Sequence, residues 1–444
     1  MSKKLTIIDI FGLGFMTFAF FLGAGNIIFP PKSGFEAGSN MPLSVVGFII
    51  SGVGLPLLGL ISVALSKGGF SNMTTPLPRK VALLFGIAIN VILGPALVCP
   101  RAGLVAYNMG VASFFPKFSS VVYSIIFFTV CVYLALKKGT LLDAIGKVLT
   151  PILIGLLVVL SISVILHPQG GTPSATGTYI HHPFSSGFLL GYNTMDIFAS
   201  LMFGTLITDV LKEKGVSDQR TLCKYLSYSG IISAAGLLFV YVSLFYLGST
   251  SEGIALPGQN GGQIITSYII KLFGTPGCVI LASIITLACL TTVVGLLAAS
   301  AEYFSKHLKY FSYRAWVVIS GIACILVSNL GLNGLIKISS PVLEFCYPLA
   351  ITLVLLTFVQ QKLSSPEKSY RVIMAVTAMF SLCDALRDIA QQYHEIPRWL
   401  SLPWFDHLPL AKQGLAWVLP MIVVLIFSLK DTTQIGLSYR RSDR

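Results

Sequence analysis

The stretch Phe20-Phe21-Leu22-Gly23-Ala24-Gly25-Asn26-Ile27-Ile28-Phe29-Pro30-Pro31 is the most informative part of the sequence, because it interrupts the first long apolar segment of the chain. Glycine costs roughly 1 kcal/mol against alanine in a helix, so Gly23 and Gly25 predict a break, and Pro30-Pro31 predict the end of the helix. Inside a bilayer, the carbonyl groups on one side of a break and the N–H groups on the other survive only beside a cavity or a ligand. The carbonyls can bind a cation and the N–H groups a carboxylate. The alternative is a glycine-rich helix packed closely on a neighbour.

The composition is typical of a polytopic helical membrane protein. Of the 444 residues, 55% are hydrophobic and only 11% are charged, whereas soluble domains carry roughly 25% charged residues. Apolar runs long enough to span a bilayer, about 20 residues each, follow one another along the sequence. We therefore expect an all-α integral membrane protein in which residues 1–444 form a single membrane domain.

The apolar runs predict about twelve transmembrane helices, which we call spans 1 to 12. Their cores are residues 7–30, 42–66, 81–109, 118–137, 145–167, 184–208, 225–249, 275–305, 314–335, 341–361, 370–391 and 411–429. Most of the 30 Lys and Arg residues fall on the side of the membrane that holds the N-terminus, which the positive-inside rule makes the cytoplasmic side. Both termini are therefore predicted in the cytoplasm, with the protein in the plasma (bacterial inner) membrane. The amphipathic run Gln263–Phe273 predicts a short helix lying outside.

Several classes of function are disfavoured. The net charge of +13 comes from basic residues in short loops and not from a basic patch with interleaved aromatic side chains, so no nucleic-acid partner is expected. The eight cysteines fall in or beside apolar runs and are interpreted as packing residues, not as disulfides or metal ligands. The sequence has no HExxH, GxSxG or Walker A motif, which argues against a membrane enzyme and an ATP-driven pump.

Span 6 carries a second interruption, Gly191-Tyr192-Asn193-Thr194-Met195-Asp196, whose polar side chains are costly at membrane depth unless they face a cavity. We place the break there and not at the alternative position, Met202-Phe203-Gly204. Spans 1 and 6 occupy corresponding places in two groups of five, which predicts a five-plus-five inverted repeat with its site between the two broken helices. The first five-helix repeat is predicted at residues 1–168 and the second at 184–361. Residues 362–444 hold helices 11 and 12 and a cytoplasmic tail.

Two polar groups in the apolar spans are candidates for chemistry. In span 8, Ala288-Cys289-Leu290-Thr291-Thr292 offers two neighbouring hydroxyls. They either bond back to their own helix or form, with the freed carbonyls, a neutral oxygen cage for a monovalent cation. Asp196 is predicted to neutralise an amino group or to carry a proton, the alternative being a structural partner for a helix end.

Other side chains have a competing structural interpretation. Arg101, near the outer end of span 3, is expected to extend to water, with a gating role as the alternative. Glu344, near the outer end of span 10, is a second candidate for a gate. Tyr192, Phe198 and Phe203 either line an apolar pocket or simply pack between helices.

These motifs, with Gly94-Pro95 and Pro100-Arg101, resemble the branched-chain amino acid:cation symporter (LIVCS) family, the BrnQ-type carriers, over nearly the whole chain. The span 1 and span 8 motifs are also similar to those of the wider LeuT-fold group of secondary transporters. The resemblance implies import of leucine, isoleucine and valine with Na⁺ by alternating access. A proton-coupled or differently selective amino-acid carrier of the same fold is the alternative. The resemblance to this family implies that the protein has no covalent cofactor and no obligate protein partner, and that it lies in a lipid bilayer.

The resemblance also implies which residues bind the ligands. Substrate-binding residues would be Phe21, Gly23, Ala24, Gly25 and Asn26 in span 1, with Tyr192, Asn193, Thr194 and Asp196 at the span 6 interruption. One sodium ion would be bound by the carbonyls of Ala19, Leu22 and Ala288 and by the hydroxyls of Thr291 and Thr292. A second sodium ion beside the substrate would use the Phe21 carbonyl and Asn26. An arginine that serves some relatives as an outer gate is replaced here by the apolar run Ile27-Ile28-Phe29.

Overall fold

The computed structural model describes residues 5–67, 69–115, 117–137, 150–392, 405 and 408–429. Within these residues the protein is helical and contains no β-strand; two isolated bridges join Gly171 to Glu252 and Leu363 to Leu429. The prediction of an all-α protein is thereby confirmed. The predicted cytoplasmic tail after residue 429 lies outside the described residues, as do residues 1–4, 138–149 and 393–404.

The helices of the first half follow the predicted spans 1 to 5. They are α1 (Ile7–Phe21), α2 (Ala24–Ala37), α3 (Met41–Ile49), α4 (Leu55–Leu65), α5 (Phe70–Met73), α6 (Arg79–Val91), α7 (Val98–Ala106), α8 (Ala112–Phe114), α9 (Ser120–Leu136) and α10 (Thr150–Leu166). A π-helical turn, Ile50–Gly54, joins α3 to α4. Two others, Ile92–Ala96 and Tyr107–Val111, link α6, α7 and α8. Spans 2 and 3 are therefore long helices with local kinks.

The helices of the second half follow the predicted spans 6 to 12. They are α11 (Pro183–Tyr192), α12 (Asp196–Glu213), α13 (Gln219–Ser249), α14 (Gly261–His307), α15 (Tyr313–Ser328), α16 (Gly331–Val359), α17 (Pro366–Gln392) and α18 (Val418–Ser428). In the centre, α2 packs against α13 and α14, and α1 packs against α13. The inverted-repeat relation between residues 1–168 and 184–361 stays a prediction.

The predicted break in span 1 is confirmed. α1 ends at Phe21 and α2 begins at Ala24, and the N–H of Gly23 bonds to the carbonyl oxygen of Phe21 at 2.7 Å. In a continuous helix that N–H would pair with the carbonyl of Ala19, four residues earlier. The break therefore releases the Ala19 carbonyl from the helical pattern, at a position where Ala19 and Leu22 are both fully buried.

The predicted end of the helix at Pro30-Pro31 is wrong, since α2 continues to Ala37. It ends at Gly38, whose φ of 46° lies in the left-handed region that favours glycine. Proline removes a helical hydrogen bond, but the packing of α2 along α13 holds the helix. A β-carbon built on Gly34 would lie 2.1 Å from the carbonyl oxygen of Phe245. Such close approach of two backbones is typical of membrane helices with small residues at their interface.

The predicted break in span 6 is also confirmed. α11 ends at Tyr192, α12 begins at Asp196, and the two helices are bent by 42° at the break. Met195, within the break, has a φ of 61°, a left-handed conformation that costs roughly 1–2 kcal/mol for a residue with a β-carbon. The alternative position at residues 202–204 lies inside α12. Tertiary contacts must therefore hold the backbone open at residues 193–195.

The helices have the length and surface of a membrane protein. Five helical stretches of the described residues are long and apolar enough to cross a bilayer, and the bent pair of α11 and α12 makes a sixth. The five are Ala24–Leu65, Arg79–Val111, Gln219–Ser249, Gly261–His307 and Gly331–Lys362. Large apolar side chains also cover the outside, as on α9, where Val122 and Ile126 are exposed. The protein is thus a multi-pass membrane protein, whereas the number of twelve spans stays a prediction.

Two glycines with positive φ set boundaries in the second half. Gly274 (φ 63°), followed by Pro276, separates the first turns of α14 from the remainder of that helix. The separate short helix predicted at Gln263–Phe273 is confirmed, and its position outside the membrane stays a prediction. Gly331 (φ 74°) follows the turn after α15, so the predicted limits of spans 9 and 10 at residues 335 and 341 are wrong.

Candidate functional site

The end of α1 and the middle of α14 form a cluster of oxygen atoms, which we call the oxygen cage. It consists of the carbonyl oxygens of Ala19, Leu22 and Ala288 and the hydroxyl oxygens of Thr291 and Thr292. Thr292 Oγ1 lies 3.3 Å from the Ala19 carbonyl oxygen and 3.2 Å from that of Leu22. The Thr291 hydroxyl donates back to the Ala288 carbonyl of its own helix at 3.0 Å, as the alternative interpretation predicts, and its oxygen lies 3.5 Å from the Ala19 carbonyl oxygen. The structure thus brings together all five residues predicted for the sodium ion.

The spacing of the oxygen cage fits a small cation. Two oxygen ligands at about 2.4 Å from a hard cation, on neighbouring octahedral positions, are about 3.4 Å apart. The oxygen–oxygen distances between Thr292 and the α1 carbonyls cover this value, and they include a carbonyl that sequence reasoning missed, that of Phe20 at 3.4 Å. None of these oxygens carries a full charge, so the cage suits a monovalent ion.

The two broken helices meet through a buried carboxylate. Asn26 Nδ2 donates to Asp196 Oδ2 at 2.7 Å, across the two breaks. The hydroxyl of Tyr241, on α13, donates to the same carboxylate oxygen at 3.1 Å and accepts a hydrogen bond from Asn26. Asp196 is 2% exposed and Asn26 1%. Asp196 also occupies the first turn of α12, where the helix dipole favours a negative charge. The predicted Asn26 and Asp196 therefore share one polar cluster.

Sequence reasoning missed Tyr241. Span 7 holds four tyrosines, Tyr225, Tyr228, Tyr241 and Tyr246. Tyrosines in a membrane helix are usually packing residues, and nothing in the local sequence relates Tyr241 to Asp196, 45 positions earlier. Phe48 packs edge-on against its ring at a centroid distance of 5.0 Å. This contact orients the hydroxyl toward the carboxylate.

Arg101 does not extend to water, and the prediction that it does so is wrong. It is 2% exposed and lies on α7, which follows a backbone kink at Gly94. Nη2 donates to the carbonyl oxygen of Asn193 at 2.9 Å, and the guanidinium carbon lies 5.3 Å from the centre of the Phe29 ring. The site therefore holds a buried guanidinium and a buried carboxyl group.

Aromatic rings pack next to these charges. Phe203 stacks on Phe20 at a centroid distance of 4.8 Å and meets Phe21 edge-on at 6.1 Å. Tyr192 stacks on Tyr347 of α16 at 4.1 Å. Phe198 also contacts Tyr347, at 5.3 Å. Tyr347 was not identified from the sequence, since nothing there indicates that α16 reaches the break in span 6.

The remaining predicted substrate residues hold the backbone of the breaks. The Thr194 hydroxyl donates to the carbonyl oxygen of Gly191 at 2.8 Å. The Phe21 carbonyl accepts the N–H of Gly23, which also bonds to Asn26 Oδ1 at 3.3 Å. Ala24 and Gly25 form the first turn of α2. The Phe21 carbonyl and Asn26, predicted to bind a second sodium ion, are thus tied to the backbone of the span 1 break.

Two cavities lie at different positions along the interrupted span 6. One is lined by residues that include Tyr192, Asn193 and Glu344. The other is lined by residues that include Met202 of α12 and Lys306 of α14. Lys306 Nζ lies 2.9 Å from Glu302 Oε1 and 3.9 Å from Asp209 Oδ2. Glu344 therefore borders a cavity that reaches the break in span 6.

Two broken helices that meet at buried polar groups, with an oxygen cage between the first and eighth spans, define a transport protein of the LeuT fold. A solved nucleobase-cation-symport-1 family transporter, closed with bromovinylhydantoin bound, is similar, with a TM-score of 0.63 at 13% identity over 95% of this chain and 91% of that one. The family model for branched-chain amino acid transport proteins matches residues 6–433. The chain belongs to that family.

Curated relatives agree with this assignment. The chain is 41% identical over 423 residues to the branched-chain amino acid transport system 2 carrier protein of Pseudomonas aeruginosa, covering 95% of each chain. It is 38% identical over 435 residues to the branched-chain amino acid permease BrnQ of Escherichia coli K12, covering 97% of each. These relatives are named as transporters, and the chain is not expected to be an enzyme.

Proposed function

We propose that the protein is a symporter that imports leucine, isoleucine and valine together with Na⁺ by alternating access. The observation that supports it most strongly is the oxygen cage, in which five residues from α1, the span 1 break and α14 present uncharged oxygens at distances suited to a small cation. The family membership and the names of the relatives supply the substrate class.

The ion stabilises the end of α1. In its absence the Thr292 hydroxyl donates to only one acceptor at a time, although three carbonyls of α1 and the break surround it. A cation attracts all of these oxygens at once. Na⁺ binding therefore fixes the break in span 1 against α14, and this ordered break is the conformation that binds the amino acid.

The amino acid binds between the two breaks. Its carboxylate approaches the N-terminus of α2, where N–H groups and the helix dipole favour an anion. Its ammonium group binds at Asp196, whose carboxylate faces Asn26 and Tyr241. Its aliphatic side chain packs among the neighbouring aromatic rings of Phe198 and Tyr347. Discrimination among the three substrates is weak, because one methylene is worth only about 1–3 kcal/mol.

Alternating access uses the two cavities on either side of the site. The cavity that reaches Asn193 serves the outer side, and the cavity beside Met202 and Lys306 serves the cytoplasmic side. Rocking of one helix bundle against the other opens them in turn. The orientation follows the positive-inside distribution of Lys and Arg, with both termini in the cytoplasm of a bacterium.

A proton-coupled carrier of the same fold is the second candidate. Asp196 favours it, because this buried carboxylate has two hydrogen-bond partners, Asn26 and Tyr241, that can also bind its protonated form. In that mechanism the carboxylate takes up a proton on one side of the membrane and releases it on the other. The oxygen cage would then have no role in coupling.

Uptake of labelled leucine into proteoliposomes tests the proposal. The purified full-length protein is given an inward Na⁺ gradient in one set and only an inward proton gradient in another. We expect concentrative uptake with Na⁺ and competition by valine and isoleucine. Uptake driven by protons alone would transfer the coupling role to Asp196. No uptake of any of the three amino acids under either gradient would overturn the substrate assignment.

A further inference from the structure

The Arg101 side chain has hydrogen-bonding capacity that its surroundings do not use. A guanidinium carries five N–H donors. In the structure, Nη2 donates to the Asn193 carbonyl at 2.9 Å, whereas Nε and Nη1 are buried without a hydrogen-bond partner among the described residues. Leaving such donors unpaired on a buried charge is costly. An arginine in this situation is typical of a site that receives an anion from outside the protein.

The position of Arg101 places these donors beside the first turn of α2. A β-carbon built on Gly25 would lie 2.7 Å from Arg101 Nη2 and 3.1 Å from the carbonyl oxygen of Asn193. The guanidinium therefore lies against the N-terminus of α2 and the break in span 6 at the same time. An anion attracted by the α2 N-terminus arrives within reach of the arginine.

The charges around Arg101 match a zwitterion. The nearby acid, Asp196, accepts hydrogen bonds from Asn26 and Tyr241, and no hydrogen bond joins it to Arg101, which donates to the Asn193 carbonyl instead. A free amino acid brings a carboxylate for the arginine and an ammonium group for the aspartate. Because both buried charges are then neutralised by one ligand, the desolvation cost of each is offset in the complex.

We propose that Arg101 binds the carboxylate of the transported amino acid and makes the site selective for a free carboxylate. This inference rests on the proposed function and names the residue that separates amino acids from their amides and esters. A planar guanidinium pairs with two carboxylate oxygens at once. An amide lacks the charge and presents only one acceptor oxygen.

The competing explanation is that Arg101 is only a strut that holds the Asn193 carbonyl and hence the break in span 6. Both roles predict that removal of the guanidinium weakens leucine binding. They differ for a ligand without a carboxylate. A strut affects leucine and leucinamide equally, whereas a carboxylate-binding residue affects leucine alone.

The test measures displacement of labelled leucine by leucine and by leucinamide from the purified full-length protein at saturating Na⁺. In the wild type, leucinamide should bind about 10- to 100-fold more weakly, since a hydrogen bond to a charged group is worth roughly 1.5–3 kcal/mol. In Arg101→Gln, leucine should bind more weakly while leucinamide is unaffected, so that the ratio falls to the smaller preference for a carboxylate that the α2 N-terminus provides. Arg101→Lys should give an intermediate ratio, because lysine keeps the charge without the planar pair of donors.

Controls separate the possible outcomes. Arg79→Gln alters an exposed arginine at the start of the same span and should keep the wild-type ratio. Thermal stabilisation of Arg101→Gln by Na⁺ alone should equal that of the wild type, which shows a folded protein with an intact oxygen cage. A wild-type ratio in Arg101→Gln overturns the inference in favour of the strut, while leucine uptake by the wild type still supports the proposed function. If the glutamine variant does not fold, an unchanged ratio in Arg101→Lys overturns the inference.

Discussion

The side-chain amide of Asn26 donates to Asp196 at 2.7 Å and so joins two helix breaks that are 170 residues apart in the sequence. The same amide group caps the first turn of α2 through its oxygen, which accepts the N–H of Gly23 at 3.3 Å. The Asn26 side chain therefore links the backbone of the first break to Asp196 at the second break. Among the residues described, Asp196 is the only carboxylate at that break. A ligand that binds at Asp196 therefore changes the surroundings of Asn26, which lies in the first turn of α2.

Replacement of Asp196 by asparagine should weaken leucine binding by about 10- to 100-fold, because the variant loses the charge that pairs with the ammonium group. The binding of 4-methylpentanoate, which has the leucine skeleton without the amino group, should stay unchanged or improve. Displacement of labelled leucine measures both. Glu213→Gln, at the exposed end of the same helix, is the matched control and should bind leucine normally. Equal weakening of both ligands by Asp196→Asn would contradict a role in binding the amino group.

Removal of the Thr292 hydroxyl should raise the Na⁺ concentration for half-maximal uptake at least tenfold. Thr292 Oγ1 approaches three carbonyl oxygens of the first span, those of Ala19, Phe20 and Leu22. Thr292→Ala therefore removes the cage oxygen that lies next to all three. Thr291→Ala should have a smaller effect, since Thr291 Oγ1 approaches only the carbonyl of Ala19 in span 1. The measurement is leucine uptake against external Na⁺.

The matched control for the hydroxyl variants is Ser283→Ala. Ser283 lies on the same helix, and its hydroxyl bonds back to the carbonyl oxygen of Val279 at 2.8 Å. Its removal should leave the Na⁺ dependence unchanged. If Thr292→Ala retains the wild-type Na⁺ dependence, the cage does not bind the coupling ion.

The substitution Gly25→Ala should abolish leucine binding while the protein remains folded. The new β-carbon would lie 2.7 Å from Arg101 Nη2, so the guanidinium must move away from α2. Gly12→Ala is the control in the preceding helix, because a β-carbon there would meet no atom within 4 Å. Leucine binding and thermal unfolding of the detergent-purified variants distinguish a lost site from a lost fold. Normal leucine affinity in Gly25→Ala would show that Arg101 can move without consequence.

The close contact between the backbones of α2 and α13 should make the stability of the fold sensitive to any side chain added at Gly34. In Gly34→Ala the added β-carbon would lie 2.1 Å from the Phe245 carbonyl oxygen, and the two helices must separate, at a cost of roughly 1–3 kcal/mol. The midpoint of thermal unfolding should fall by several degrees. In Gly155→Ala, where a β-carbon meets nothing within 4 Å, it should stay equal or rise. An equal midpoint for both variants would disprove the role of this crossing.

The sequence predicts those features that depend on local backbone chemistry. Gly23 and Gly25 lower helix stability at their own positions, and the polar run at residues 191–196 is costly in lipid wherever it lies, so both breaks are correctly located. The hydroxyls of Thr291 and Thr292 could be identified as candidates because a neighbouring pair in an apolar helix is itself a local pattern, whereas their position beside the span 1 break followed from the family resemblance. The structure then brings these residues to the break.

Features that depend on distant packing could not be predicted in the same way. Pro30-Pro31 would end an isolated helix, but α2 continues because its backbone is buried against α13, some 210 positions away. Arg101 was expected in water, because its contacts with Asn193 and Phe29 join residues far apart in the sequence. Tyr241 and Tyr347 have no local signal, because their function at the site comes from contacts with helices far away in the sequence.

The oxygen cage also constrains how the protein is made. Its members Ala19 and Thr292 are 273 positions apart, so a growing chain has no cation site until α14 has been synthesised and inserted. Until then the first helix carries released carbonyls inside the bilayer, each of which costs several kcal/mol if it stays unpaired. A chain truncated before residue 288 therefore lacks the Thr292 hydroxyl that approaches the carbonyls of Ala19 and Leu22, and its first span is less stable than in the complete protein.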